Sequence, residues 1–464
     1  MGVYTTIDPV TGDQIAQYPE ISDAELDDLI GRSTAAYRSW RTTPLEQRRT
    51  VLTRAAEIHR EQADELAKIL TLEMGKPIAQ AKGEVALVAS IYQFYADHVE
   101  EYIADEPLDI TGSGTAVVRT EPIGPLVGVM PWNFPYYQVA RFAAPNIALG
   151  NTIILKHARN CPQSALAIER VLAEAGLPAG VYLNAFISSA HVANTVADPR
   201  VQGVSLTGSE KAGSAVGEVA GRHMKKCVLE LGGSDPFLVL DDADVDAAAA
   251  AAVVGRLGNG GQACTASKRF LVDERVYEEF VGKFVDGMAG WQPGDPTSPD
   301  TKLGPLASNA GVEELDELVQ DAISRGAEVL LGGNRPEGAG AYYPPTVLAG
   351  VTRDMRAFSE ELFGPVAVVH CVGSMDEAID LANDSPFGLS SSVFTSDPDK
   401  ADRVAEELET GMVWINGTSK SSPDLPFGGV KGSGFGRELA KFGFNEFANK
   451  KLIRNPQGKK GIPA

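Results

Sequence analysis

The hydrophobic positions of the first hundred residues fall at helical spacing. Ser22-Asp23-Ala24-Glu25 has the form of a capping box, and Leu26, Ile30 and Tyr37 begin an apolar stripe behind it. Thr43-Pro44-Leu45-Glu46 opens a second helix with Pro at the first helical position, continued by Val51, Leu52, Ala55 and Ile58. A longer amphipathic stretch runs from about Ile78 to Tyr102. Residues 107–121 then alternate, with Leu108, Ile110, Ala116 and Val118 on one register, and predict a hairpin reaching outside the main core.

From Leu126 the pattern changes to short apolar runs separated by helical segments. Strands are expected at Leu126–Met130, Thr152–Leu155, Val181–Phe186, Gly203–Leu206 and Cys227–Leu229, with helices such as Pro162–Ala175 and Ala212–His223 between them. A second series follows at Phe237–Leu240, Phe270–Val272, Glu328–Leu331, Val366–Val369 and Met412–Ile415. Fully apolar strands alternating with helices mean parallel sheets with crossover connections. Two doubly wound α/β domains are expected, meeting near Gly232-Gly233-Ser234.

Composition narrows the function classes. The chain has 464 residues, which suits two or three compact units better than one core. With 41 Lys+Arg against 62 Asp+Glu the net charge is −21, so there is no basic excess for nucleic-acid phosphates and any anion site must be built locally. Hydrophobic residues at 44% and charged residues at 22% exclude a disordered chain. No apolar run approaches the roughly 20 residues that cross a bilayer, and the first residues lack a signal-peptide pattern, so a cytoplasmic protein without a membrane partner is expected. Six scattered histidines give no HxxxH or CxxC spacing, and no metal site is expected.

The four cysteines are too few for a disulfide scaffold. Cys161 lies at a loop-to-helix junction, Cys227 begins a strand, and His370-Cys371 are strand neighbours whose side chains point to opposite faces. Cys264 differs: Gly258-Asn259-Gly260-Gly261-Gln262-Ala263-Cys264 is a loop in which backbone can turn tightly and approach a ligand. On this segment alone it is either a nucleophile with an adjacent N–H for an oxyanion or a small buried cysteine in a turn. Gly258-x-Gly260-x-x-Ala263 satisfies a loose dinucleotide fingerprint, but it follows a helix and precedes a strand, the reverse of the context that motif requires.

Six strings occur in order: Met130-Pro131-Trp132-Asn133-Phe134-Pro135, Leu206-Thr207-Gly208-Ser209, Leu229-Glu230-Leu231-Gly232-Gly233, Gly261-Gln262-Ala263-Cys264, Glu361-Leu362-Phe363-Gly364-Pro365 and Pro426-Phe427-Gly428-Gly429-Val430-Lys431. Together they resemble the aldehyde dehydrogenase superfamily over essentially the whole chain, and within it the bacterial succinate-semialdehyde dehydrogenases. The resemblance implies NAD(P)-dependent oxidation of an aldehyde through a thiohemiacetal and a thioester. It makes Cys264 the nucleophile, Asn133 an oxyanion donor and Glu230 the base. Coenzyme contacts fall on Trp132, Lys156, Gly208, Ser209, Gly213, Leu231, Glu361 and Phe363. It implies a Rossmann-like cofactor-binding domain over 1–104 and 123–232, a catalytic domain over 233–438, and a small β oligomerisation element from 105–122 and 439–464, with a homodimer or homotetramer as the assembly.

Departures from the pattern refine the expectation. Three residues after Lys156, where NAD-preferring members carry a glutamate, this chain has Arg159, whose charge suits a 2′-phosphate; NADP is therefore favoured over NAD. Arg141 and Ser422 match positions that hold a substrate carboxylate, which points to succinate semialdehyde. Six residues before the nucleophile the second arginine of some relatives is replaced by Gly258, with Arg256 nearby, which keeps other small aldehydes open. Two further alternatives are a CoA-acylating enzyme and a non-catalytic structural member of the fold; the intact Cys264, Glu230 and Asn133 set argues against both.

Overall fold

A computed structural model describes residues 2–336, 338 and 340–458. Residue 1 of the expected cofactor domain, 337 and 339 of the expected catalytic domain and 459–464 of the expected oligomerisation element lie outside the described residues. Two large sheets organise the chain. The first runs, edge to edge, Gly434–Phe435, Lys226–Glu230, Gly203–Thr207, Pro125–Val129, Thr152–Lys156 and Tyr182–Asn184. All its pairings are parallel except that of the short Gly434–Phe435 edge. Side chains one residue apart enter different cores. Leu126 packs with the helices Leu45–Glu61, Ile78–Ile103 and Tyr137–Leu149, while Val127 packs with Asp23–Trp40 and Ser189–Ala197. Both faces are covered, which is why these strands read as continuous apolar runs.

The second sheet runs Glu328–Leu331, Thr346–Ala349, Val366–Val372, Ser267–Asp273, Asp235–Val239, Ser390–Phe394 and Met412–Ile415, antiparallel only at its first pair. Phe237 and Phe270 face the helices Val245–Leu257 and Tyr277–Ala289; Leu238 and Leu271 face Met375–Asn383 on the other side. The alanine-rich run at 247–252 lies in the first of these helices, with Ala248, Ala249 and Ala252 buried. The architecture is two doubly wound α/β units, as the hydrophobic pattern predicts.

Three local features differ from expectation. Before the first helix there is an antiparallel hairpin, Val3–Ile7 with Gln14–Pro19. It is tied down by Tyr4 Oη donating to Ile187 O (2.8 Å) and Thr6 Oγ1 donating to Glu73 (2.7 Å). Pro44 occupies the cap position, one residue before the helix, although the Ser22/Glu25 capping box forms in both directions. Strands Thr346–Ala349 and Ser390–Phe394 also lie outside the expected set. Residues 106–122 form a hairpin whose long strand, Thr115–Pro122, pairs with Ala448–Asn455, leaving Leu452 and Ile453 exposed. Among the described residues no helix is long and apolar enough to cross a membrane.

Candidate active site

In the first sheet, chain order reverses between Pro125–Val129 and Gly203–Thr207. The loops leaving the carboxyl ends of such a pair diverge and open a crevice. Those loops carry Trp132 and Asn133 on one side and Gly208 and Ser209 on the other. Ser209 caps the helix Glu210–Arg222, its Oγ accepting from Ala212 N. That helix lies close on the sheet because Gly213 faces Leu231, where a Cβ would stand 2.6 Å from the leucine methyls.

The segment bearing Cys264 comes from the second unit. The helix Val245–Leu257 ends in a single turn, Gly258–Gly261, in which Asn259, Gly260 and Gly261 all take positive φ. A Cβ on Gly261 would collide with Gly364 O and the Arg256 guanidinium, so glycine is required there for space as well as conformation. Asn259 Nδ2 donates to both Asn133 O (3.0 Å) and Gln262 O (3.1 Å), and Asn133 Nδ2 donates to Gln262 O (3.0 Å). These bonds lock the Trp132-Asn133 loop to the segment that delivers Cys264.

Cys264 lines two cavities. One of about 300 Å³ holds Trp132, Asn133, Ser209, Glu361 and Phe363 and adjoins a larger one of about 620 Å³ that shares Trp132, Glu361 and Phe363. The other, about 560 Å³, is lined by Phe134, Tyr137, Thr418, Ser421 and Phe427. Burial pushes the Cys264 thiol up to about 12; the Arg141 and Lys268 cations pull it down, and the Glu361 and Asp235 carboxyls oppose them.

Glu230 ends its strand with the side chain buried. Neither carboxyl oxygen has a hydrogen-bond partner among the described residues, and a Cβ on Gly428 would stand 2.7 Å from Oε1. Burial holds this carboxyl well above the usual carboxylate range; Arg141 and Arg437 pull it down, while Glu438 and Glu446 raise it. Leu231 and Gly232 line the smaller Cys264 cavity, whereas the Glu230 carboxyl packs against Gly428 behind it.

The two residues expected at the substrate carboxylate already have partners within the chain. Arg141 is fully buried rather than open to a ligand: it pairs with Glu438, donates to Thr207 Oγ1 (3.0 Å) and Tyr137 Oη (3.4 Å), and stacks over the Phe427 ring. Its charge is already matched by the Glu438 carboxylate. Ser422 is spoken for by Asp424; its neighbour Ser421 lines the 560 Å³ cavity and accepts from Tyr137 Oη (2.7 Å). Nor does Arg256 supply the missing second arginine. It is buried with its guanidinium on the carbonyls of Ser267, Gly261, Leu362 and Gly364.

On the coenzyme side, Trp132 and Phe363 meet edge to face at 5.6 Å. Lys156 closes its strand, its ammonium pulled down to about 8 by burial and by Arg159. Arg159 is half exposed and pairs with Glu20 of the N-terminal hairpin, an acidic partner that sequence spacing gave no sign of. The crevice suits a dinucleotide: Gly232 lies between the Glu210 and Glu361 carboxyls, where a Cβ would fill the gap, and the capped helix N-terminus opens beside it.

Several supporting groups escaped sequence reasoning because their bonds go largely to backbone atoms, which leave no residue pattern to read. Glu84 pairs with the buried Lys76 and accepts Tyr136 N (2.9 Å) and Tyr137 N (3.1 Å), capping the helix Tyr137–Leu149. His157 accepts Ala158 N on Nδ1, so its Nε2–H donates to Pro135 O (3.0 Å) and steadies the Asn133 loop. Lys268 Nζ donates to the carbonyls of Ala263, Cys264 and Ala266.

Comparison with known proteins agrees over nearly the whole length. The model of the aldehyde dehydrogenase family matches residues 2–453. The chain is 53% identical over 451 residues to the succinate-semialdehyde dehydrogenase [NADP(+)] of Deinococcus radiodurans, covering 97% of this chain and 94% of that protein. It is 45% identical over 450 residues to succinate-semialdehyde dehydrogenase [NADP(+)] 1 of Mycobacterium tuberculosis, covering 97% and 98%. The crystal structure of succinic semialdehyde dehydrogenase from Streptococcus pyogenes in complex with NADP+ superposes with a TM-score of 0.96 at 42% identity, covering 98% of this chain and 100% of that one.

Proposed function

The chain belongs to the aldehyde dehydrogenase family, and from that premise we propose that it oxidises succinate semialdehyde to succinate with NADP+. The observation that carries this reading is the position of Cys264, on the wall of both the coenzyme-side cavity and the 560 Å³ cavity. Substrate and coenzyme follow the relatives from Deinococcus and Mycobacterium. When bound, held by Trp132, Lys156, Ser209, Glu361 and Phe363, the coenzyme supplies the hydride acceptor.

The chain's own groups do the rest. Cys264 gives up its proton through Glu230 to solvent, and its sulfur bonds to the aldehyde carbon as the carbonyl electron pair shifts onto oxygen. The oxygen that becomes an anion accepts from Asn133 Nδ2 and the Cys264 N–H; removal of one such donor costs about 10²–10³ in kcat. Hydride loss leaves a thioester on Cys264. Glu230 swings from Gly428 toward the sulfur and takes a proton from water as the water oxygen bonds to the thioester carbon; the carbon–sulfur bond then breaks, releasing the acid, and the Cys264 thiolate regains that proton from Glu230. A carboxyl held above its usual range by burial is matched to that work near neutrality. The distal carboxylate of the substrate meets Tyr137 Oη and Ser421 Oγ, with Arg141 acting from behind through the tyrosine. Residues 1–104 and 123–232 serve the coenzyme, 233–438 carry the nucleophile, and 105–122 with 439–464 join copies into a cytoplasmic homodimer or homotetramer, for which exposed Leu452 and Ile453 provide apolar contact.

The test is a steady-state panel of succinate semialdehyde, glutarate semialdehyde, acetaldehyde and benzaldehyde with NADP and NAD. Acidic aldehydes with NADP should give the highest kcat/KM, and Cys264→Ser should abolish turnover while NADP still binds. Ser421→Ala should raise KM for the acidic aldehydes alone, and Ser422→Ala should not. Equal kcat/KM for neutral and acidic aldehydes would overturn the substrate assignment.

A further inference from the structure

Lys268 is among the most completely buried cations of the molecule, 1% exposed, and it lies directly beneath the nucleophile segment. Its Nζ has four acceptors: Ala263 O at 3.3 Å, Cys264 O at 3.0 Å, Ala266 O at 3.2 Å and Glu361 Oε1 at 3.3 Å. An ammonium has three N–H donors. One acceptor is always underserved, so any change in what Glu361 offers redistributes the other three bonds. Glu361 Oε1 also accepts Gly233 N (3.1 Å), and Gly233 backs onto the same loop, where a Cβ would stand 2.5 Å from Cys264 O. The carboxylate on the coenzyme wall and the carbonyl of the nucleophile are thus one cation apart.

We propose that Lys268 is a positioning residue that couples occupancy of the coenzyme groove to the reactivity of the Cys264 sulfur, by dividing its three donors between Glu361 and the carbonyls of the nucleophile segment. The inference rests on the reading of Glu361 as a coenzyme contact. With the groove empty, Glu361 neutralises Lys268. When coenzyme hydroxyls donate to Glu361, the carboxylate draws less on the ammonium, which turns to the 263–266 carbonyls and presents a less compensated charge to the sulfur. Of the other charged groups around Lys268 and Glu361, Asp235 from the adjacent strand interacts with Lys268, Arg269 acts on Asp235, Arg256 from the helix Val245–Leu257 acts on Glu361 and Asp235, and Glu210 acts on Glu361; Arg141 acts on the thiol independently. Arg256 donates only to carbonyls and Arg269 likewise, so neither exchanges partners when the groove fills. Asp235 Oδ1 accepts Ser390 N, and Asp235 stays with the second sheet.

The experiment is the pH dependence of Cys264 alkylation by iodoacetamide, with and without NADP, alongside NADP binding measured by quenching of tryptophan fluorescence. In the unaltered protein, NADP should raise the alkylation rate at neutral pH by about tenfold, the equivalent of one pKa unit. Lys268→Gln should bind NADP yet show less than a twofold response, and Lys268→Arg should restore part of it. Glu361→Gln carries the opposite sign: without its counter-charge, Lys268 should make the coenzyme-free thiol about tenfold faster than in the unaltered protein, an increase that damage to the fold does not produce. A full NADP response in Lys268→Gln, or no acceleration in Glu361→Gln, overturns the coupling. Failure of the unaltered protein to bind NADP overturns instead the underlying coenzyme reading.

Discussion

Replacing Glu438 by glutamine tests the electrostatics behind the catalytic cleft. Arg141 is 0% exposed and Glu438 4%, and the two form an ion pair through Arg141 Nε and Glu438 Oε2. The amide keeps the shape and can still accept Ser205 Oγ, which donates to Glu438 Oε1 at 3.1 Å. What disappears is the counter-charge of a guanidinium that no water reaches. Breaking a buried pair from one side costs about 3–5 kcal/mol, a large share of the roughly 5–15 kcal/mol that holds a domain folded. Arg141 retains Thr207, Tyr137 and the Phe427 ring, which places the loss at the lower end. A second effect has a definite sign. Glu438 raises the Glu230 carboxyl and Arg141 lowers it. Removing Glu438 therefore lets Glu230 ionise at lower pH, and the acid limb of kcat should move down. Arg141→Met, the reverse perturbation, should move it up. Urea unfolding followed by fluorescence reads the first effect and pH–rate profiles read the second. An unchanged urea midpoint, or an acid limb that moves the same way in both variants, would refute the reasoning.

Other outcomes follow from single distances. Gly428→Ala places a methyl 2.7 Å from Glu230 Oε1 at a φ of +152°, so kcat should fall while NADP binding is untouched, checked by turnover and coenzyme titration; the backbone strain adds about 1–3 kcal/mol to the stability loss. NADP affinity should weaken as pH rises through about 8, where Lys156 loses its charge, and Lys156→Arg should flatten that dependence in a binding titration. Glu20→Gln frees Arg159 for a 2′-phosphate; because the Arg159 guanidinium is half exposed, tightening for NADP should stay within about 1 kcal/mol, with NAD affinity unchanged in the same titration.

The sheets were legible because strands covered on both faces are written as apolar runs. The N-terminal hairpin was not: in Gln14–Pro19 no residue is buried, so alternation carries no hydrophobic signal. Ser390–Phe394 is fully buried yet begins with three serines, which disguise it as a loop. The catalytic groups stood out through contiguous strings. Some of their partners did not, since Arg141 finds Glu438 only after the chain has folded. Ser421 and Ser422 differ by one position, and which of them reaches Tyr137 is decided by the path of a loop that no local pattern specifies.

The left-handed turn Asn259-Gly260-Gly261 has a practical corollary for anyone reshaping selectivity. Diversity introduced there would destroy the scaffold before it altered the choice of aldehyde, because all three positions take positive φ and the last has no space for a Cβ. The opposite wall, from Thr418 to Ser421, joins strand to loop without such restraint and faces the same sulfur. Libraries aimed at new aldehydes should be concentrated on that rim, leaving the arm that carries Cys264 unchanged.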